Sequence, residues 1–108
     1  MPQILVTEIM VTEILAQAIQ GRRLVAIWYD PGVRVIEPHA LGVGSDGQLL
    51  LRAFQVSGVS VSRQPVHWKL FRLDRIRDAK LSGGSFRKPR PEYKRDDPAM
   101  TGGIIAQI

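Results

Sequence analysis

Lys69, Arg72, Arg75 and Arg77 stand in the stretch Trp68–Leu81, WKLFRLDRIRDAKL, among Leu70, Phe71, Leu73, Ile76 and Leu81. That much apolar surface fixes the segment into a core. Basic groups at set positions on a rigid element make a site for an anion, whereas a loose basic tail makes only a diffuse charge. Arginine meets phosphate or carboxylate with a planar fork, and lysine meets it as a point charge. Arg52, in LLLRAF, joins them as a cation beside apolar neighbours.

The charge of the whole chain points the same way. Of the 108 residues, 1–51 hold three basic and five acidic side chains, and 52–108 hold twelve and five. The first half is therefore net −2 and the second +7, an asymmetry that suits an anionic partner, nucleic acid being the commonest. Solubility alone would also account for a positive excess.

The elements that must position these groups follow from periodicity. Val11, Ile14, Leu15 and Ala18 form one apolar stripe, which predicts a helix over 8–20, capped by Thr7 and ended at Gly21. Ile4-Leu5-Val6 reads as a strand or as a first helical turn. The period then becomes two. Strands are predicted at 23–29, 33–37, 39–44, 48–56 and 67–73, a helical turn at 74–76, and a last strand at 78–81. Asp30-Pro31-Gly32 and Ser45-Asp46-Gly47 are turns, and Pro38 marks a bend. Ser82-Gly83-Gly84 ends the folded unit, 1–83. Beyond it, 84–108 is expected as an extended, proline-rich tail whose apolar end, Ile104-Ile105 and Ile108, docks back or meets a partner chain. The fold class is mainly β: one N-terminal helix leading into a small, strongly bent antiparallel sheet or barrel.

The pleat sorts the candidates. Leu49, Leu51 and Ala53 share one face of the fourth strand, with Leu50, Arg52 and Phe54 on the other. Trp68, Leu70 and Arg72 share a face of the fifth, opposite Lys69, Phe71 and Leu73. Trp68 thus offers a stacking surface beside Arg72. Arg75 either joins the anion site or braces its turn through Asp74 or Asp78. His39 and His67 are the only histidines, and His39 beside Pro38 is a weaker candidate donor to phosphate.

Catalysis has little to stand on. There is no cysteine, no G-x-S-x-G, no phosphate loop and no carboxylate pair at telling spacing. Neither a metal nor a cofactor is expected. With no signal segment and no apolar run of membrane-spanning length, a cytoplasmic protein is expected.

AIQGRRLVAIWYD, RVIEPHAL, DGQLLLRAFQ and KLFRLDRI, in that order, resemble the WYL domain of bacterial regulators over residues 16–82, EPHAL and FRLDRI being the most specific phrases. The resemblance implies an Sm-like, SH3-type barrel that senses a nucleotide or short single-stranded nucleic acid for a transcription regulator. It implies a ligand site that includes Lys69, Arg72 and Arg75. The aromatic pair of the family's name is missing, since Gln48, Leu49 and Leu50 stand there, which favours phosphate recognition over base stacking. A helix-turn-helix has no room in 108 residues with one short helix, so DNA binding is expected from a separate partner protein. The reading is a noncatalytic sensing domain with ligand-binding Arg52, Lys69, Arg72, Arg75, His39 and Trp68. The alternative is an interaction module, such as a homodimer, that uses a barrel edge and the Ile-rich C-terminus.

Overall fold

The computed structural model describes residues 4–64 and 66–108, with helix side chains from Thr7 onward. Helix α1 (Ile4–Gly21) is followed by β1 (Arg23–Tyr29), β2 (Gly32–Val43), β3 (Leu49–Gly58), β4 (His67–Arg72), a 3-10 turn at Leu73–Arg75, β5 (Asp78–Ser85) and β6 (Gly103–Gln107). Residues 4–6 are thus a helical turn, so Thr7 lies inside the helix, and the left-handed residue that ends it is Arg22 (φ 52°) rather than Gly21.

Hydrogen bonding orders the strands β4-β3-β2-β1-β5, all antiparallel, with β6 added to β2. Val11, Leu15, Ala18 and Ile19 bury one stripe of α1 against Val25, Ile27, Ile36, Leu51, Phe71 and Ala79. Burying each large aliphatic side chain there contributes about 1.5–3 kcal/mol. The sheet is bent but does not close into a barrel, because β4 and β5 do not pair. A side chain spans part of the opening: the Arg72 backbone N–H donates to the Tyr29 hydroxyl at 3.4 Å.

The two strands expected on either side of Pro38 are one, β2. Pro38 has no N–H to give a ladder, yet it sits in the middle of a twelve-residue strand. Toward β3 the register slips between Pro38 and Ala40. Toward the other side, β1 pairs only as far as Ile36 and β6 begins at Ala40, so no strand asks for the missing donor.

The C-terminal region differs most from expectation. β5 continues through Ser82-Gly83-Gly84, where the ladder with β1 slips between Arg23 and Val25 and Gly83 takes φ 92°. The apolar end docks back on the domain: β6 joins β2, and Ile108 N–H donates to His39 O at 3.0 Å. Gly42 permits the approach, since a Cβ there would lie 2.6 Å from Gly103 O and 2.7 Å from Met100 Sδ. Between β5 and β6 the chain has no regular structure but is packed, with Met100 and Asp97 buried.

Candidate functional site

The pairing of β4 with β3 sets Trp68 opposite Phe54, Leu70 opposite Arg52 and Arg72 opposite Leu50, all on one face. Lys69 and Phe71 lie on the other face, opposite Ala53 and Leu51. The six residues expected to form one ligand site are therefore divided by the strand.

On the first face the cations are occupied. Arg52 makes a two-bond pair with Asp97, Nε to Oδ2 at 2.7 Å and Nη2 to Oδ1 at 3.3 Å. Burial disfavours the Asp97 charge, but Arg52 and the Ala99 N–H outweigh it and hold this carboxyl below its ordinary range. Arg72 turns outward to Asp74, Nη2 to Oδ2 at 2.7 Å. This bond holds the Asp74 carboxyl down and the guanidinium up. Arg75 is exposed at the end of the 3-10 turn.

His39 lies in the interior rather than on the β3–β4 surface. It is fully buried, and its ring packs edge-on to Trp68 (4.7 Å between centroids) and stacks on Phe86 (5.3 Å). Its Nε2 accepts the Arg90 backbone N–H at 3.1 Å, so Nδ1 carries the proton and donates to Glu37 O at 2.8 Å. Burial lowers its pKa, consistent with this neutral form. Its role is to hold the C-terminal segment, aided by the Arg90–Glu37 ion pair at 2.8 Å.

The second face has a different character. Lys69 Nζ donates to Ser60 Oγ at 2.9 Å and Ser62 Oγ at 2.7 Å, both on the loop after β3. Nearby, on β2, is Arg34, only 3% exposed. It donates through Nε to Tyr29 O (3.2 Å), through Nη2 to Asp30 O (2.7 Å) and through Nη1 to Gln55 Oε1 (3.4 Å). Its guanidinium lies 5.1 Å from the Tyr29 ring centroid and 5.6 Å from that of Phe71. Among the described residues neither cation has a carboxylate within ion-pair distance. Burial, then the charge of Arg34, lowers the Lys69 pKa, and burial lowers that of Arg34. Both line a cleft of about 360 Å³ with Tyr29, Ser60, Ser62 and Gln64.

A buried charge is stable only when paired or fully hydrogen-bonded. Here, among the described residues, two cations line one cleft with neutral hydrogen-bond partners. Charge-assisted bonds from a fork and an ammonium are the ones that grip phosphate oxygens.

No family model matches the chain, and no curated protein matches it. Among solved structures it is similar to proteasome accessory factor B/C (PafBC) of Arthrobacter aurescens, with a TM-score of 0.61 and 24% identity, over 78% of this chain and 13% of that one. The likeness is one of fold, and the chain spans a small part of PafBC's length.

Of the expected residues, Lys69 and Trp68 line this cleft, Lys69 with Arg34 beside it. Arg34, Ser60 and Ser62 were not expected. Arg34 carries a signal in sequence: it is in phase with Ile36, so a strand that buries one buries the other. The serines carry none, since nothing local says which way their loop folds.

Proposed function

We propose that this chain is a noncatalytic ligand-sensing domain of WYL type, binding a phosphate-bearing ligand, a nucleotide or short single-stranded nucleic acid, in the Arg34–Lys69 cleft. The observation that carries the reading is a buried arginine and a lysine in one cleft with, among the described residues, no carboxylate in ion-pair distance of either. The order of EPHAL and FRLDRI in sequence and the fold likeness to part of PafBC support a regulatory role.

In this reading the phosphate sits against Lys69, with the buried Arg34 guanidinium adding its charge from behind. To reach Lys69 it displaces the Ser60 and Ser62 hydroxyls, which are neutral and weaker partners than an oxyanion. Releasing them frees the loop between β3 and β4, and that movement is what a DNA-binding partner protein would detect. The soluble, cytoplasmic setting expected from the sequence suits such a role, and no described helix is long and apolar enough to cross a membrane.

The test is titration of the protein with AMP and with a short single-stranded oligonucleotide at two salt concentrations. Binding at low salt that weakens as salt rises, and is lost in Lys69→Ala, is expected. Absence of binding at low salt, or unchanged affinity in Lys69→Ala, overturns the proposal.

A further inference from the structure

On the far side of Trp68 lies a second cavity, of about 210 Å³, which Trp68, Arg52 and the C-terminal segment build together. Its aromatic walls are Trp68 and Tyr93, whose rings are near parallel (22°) with centroids 6.1 Å apart. A ring wedged between them would need twice the roughly 3.5 Å carbon contact distance, so a guest lies against the rings rather than between them. Both walls are held. Trp68 Nε1 donates to Pro91 O at 3.0 Å, and the single Tyr93 hydroxyl proton is shared between His39 O and Ile108 O, each at 3.3 Å.

The charges around this cavity cancel. Arg52 is bound to Asp97, and Glu92 and Lys94 add one charge of each sign to the lining. Nothing there draws a net anion or cation, in contrast to the Arg34–Lys69 cleft. Arg52 spends Nε and Nη2 on Asp97, which leaves Nη1 to donate to an acceptor in the cavity. The volume is below the roughly 300–1,000 Å³ of pockets for drug-sized ligands, so the occupant is a single ring system. Glu92 holds this segment with φ 74°, a conformation uncommon for residues other than glycine.

We infer that this cavity is a binding site for an uncharged planar heteroaromatic ring carrying hydrogen-bond acceptors, a nucleobase by chemical class. It stacks on Trp68 and Tyr93 and takes a hydrogen bond from Arg52. Aromatic stacking serves any base, which suits a site with one directional donor. The site owes nothing to the phosphate cleft except the shared Trp68, so each stands or falls alone.

The test uses the full chain and adenosine, which has the ring but no phosphate. The reporter is the indole N–H of Trp68 in a two-dimensional NMR spectrum, with that of Trp28 as internal control and ribose as control ligand. A saturable shift of the Trp68 signal with adenosine, none with ribose and none at Trp28 is expected. Tyr93→Leu should weaken binding about fivefold or more. No shift up to about 10 mM adenosine, or equal binding by Tyr93→Leu, overturns the inference. Should that variant fail to fold, nuclear Overhauser contacts between adenine and the wild-type Tyr93 ring decide: their presence supports the site and their absence overturns it. Inorganic phosphate, titrated separately, reports on the Arg34–Lys69 cleft, so failure of one reading leaves the other distinguishable.

Discussion

The two faces of β4 carry similar residues and opposite electrostatics. On one, Arg52 and the nearby Arg90 are bound to Asp97 and Glu37, and Arg72 to Asp74. On the other, Lys69 and Arg34 meet only hydroxyls, carbonyls and an amide. A cation already matched by a carboxylate stabilises the fold and has little net charge left to draw an anion. Cations matched by neutral groups keep their charge available. What distinguishes Arg52 from Arg34 here is the kind of partner each one has, and Arg34 is the more deeply buried.

The largest break in that contrast should come from Phe71→Ala. Phe71 is 1% exposed, packs edge-on to Tyr29 at 4.9 Å and backs Arg34. The cavity left behind should cost about 3–5 kcal/mol, read as a lower urea midpoint, and should abolish anion binding with it. Asp97→Asn should cost about 1.5–3 kcal/mol by the same measurement, because it withdraws the charged partner from Arg52. AMP affinity in that variant should stay within a factor of about two.

Lys69→Ala should do the reverse, with a small effect on the urea midpoint and about a tenfold or greater loss of AMP affinity. Arg52→Ala, titrated with inorganic phosphate, should bind as the wild type does. If instead Arg52→Ala loses binding and Lys69→Ala keeps it, the assignment of the two faces is inverted.

The next effect is of pH. His39 is neutral in the fold because burial lowers its pKa from the ordinary 6.5, and its Nε2 must accept the Arg90 N–H. The unfolded chain takes up that proton first as pH falls. Stability should therefore be full above 6.5 and decline below it. Urea midpoints between about pH 7.5 and 5.5 should show this slope in the wild type and lose it in His39→Gln. The lowered pKa values of Asp97 and Asp74 add their own losses at lower pH, in the acidic carboxylate range. Arg72→Ala should have the smallest effect, with no measurable change in the urea midpoint, since its pair with Asp74 is exposed to solvent and to salt.

Much of the architecture was legible in local pattern. The stripe of α1, the alternation along β1, β3 and β4, and the face shared by Trp68, Leu70 and Arg72 follow from periods of 3.6 and two. Pro38 misled because proline in mid-strand is excluded only where a neighbour wants its N–H, and no neighbour does there. The lining of the candidate cleft was half legible. Lys69 stood out by its setting, and Arg34 could have been found by its phase with Ile36. That Arg52 is bound by Asp97, 45 residues later, could not.

By itself the sequence determined the strands, the helix stripe and which side chains share a face, because these depend on neighbours a few residues apart. Tertiary structure decided which of the cations remain free. Ion pairing depends on where distant segments come to rest, and here the segment after β5 returned across the sheet with Asp97 for Arg52 and with Arg90 for Glu37 and His39. No local period encodes that return; the packing of β6 on β2 does.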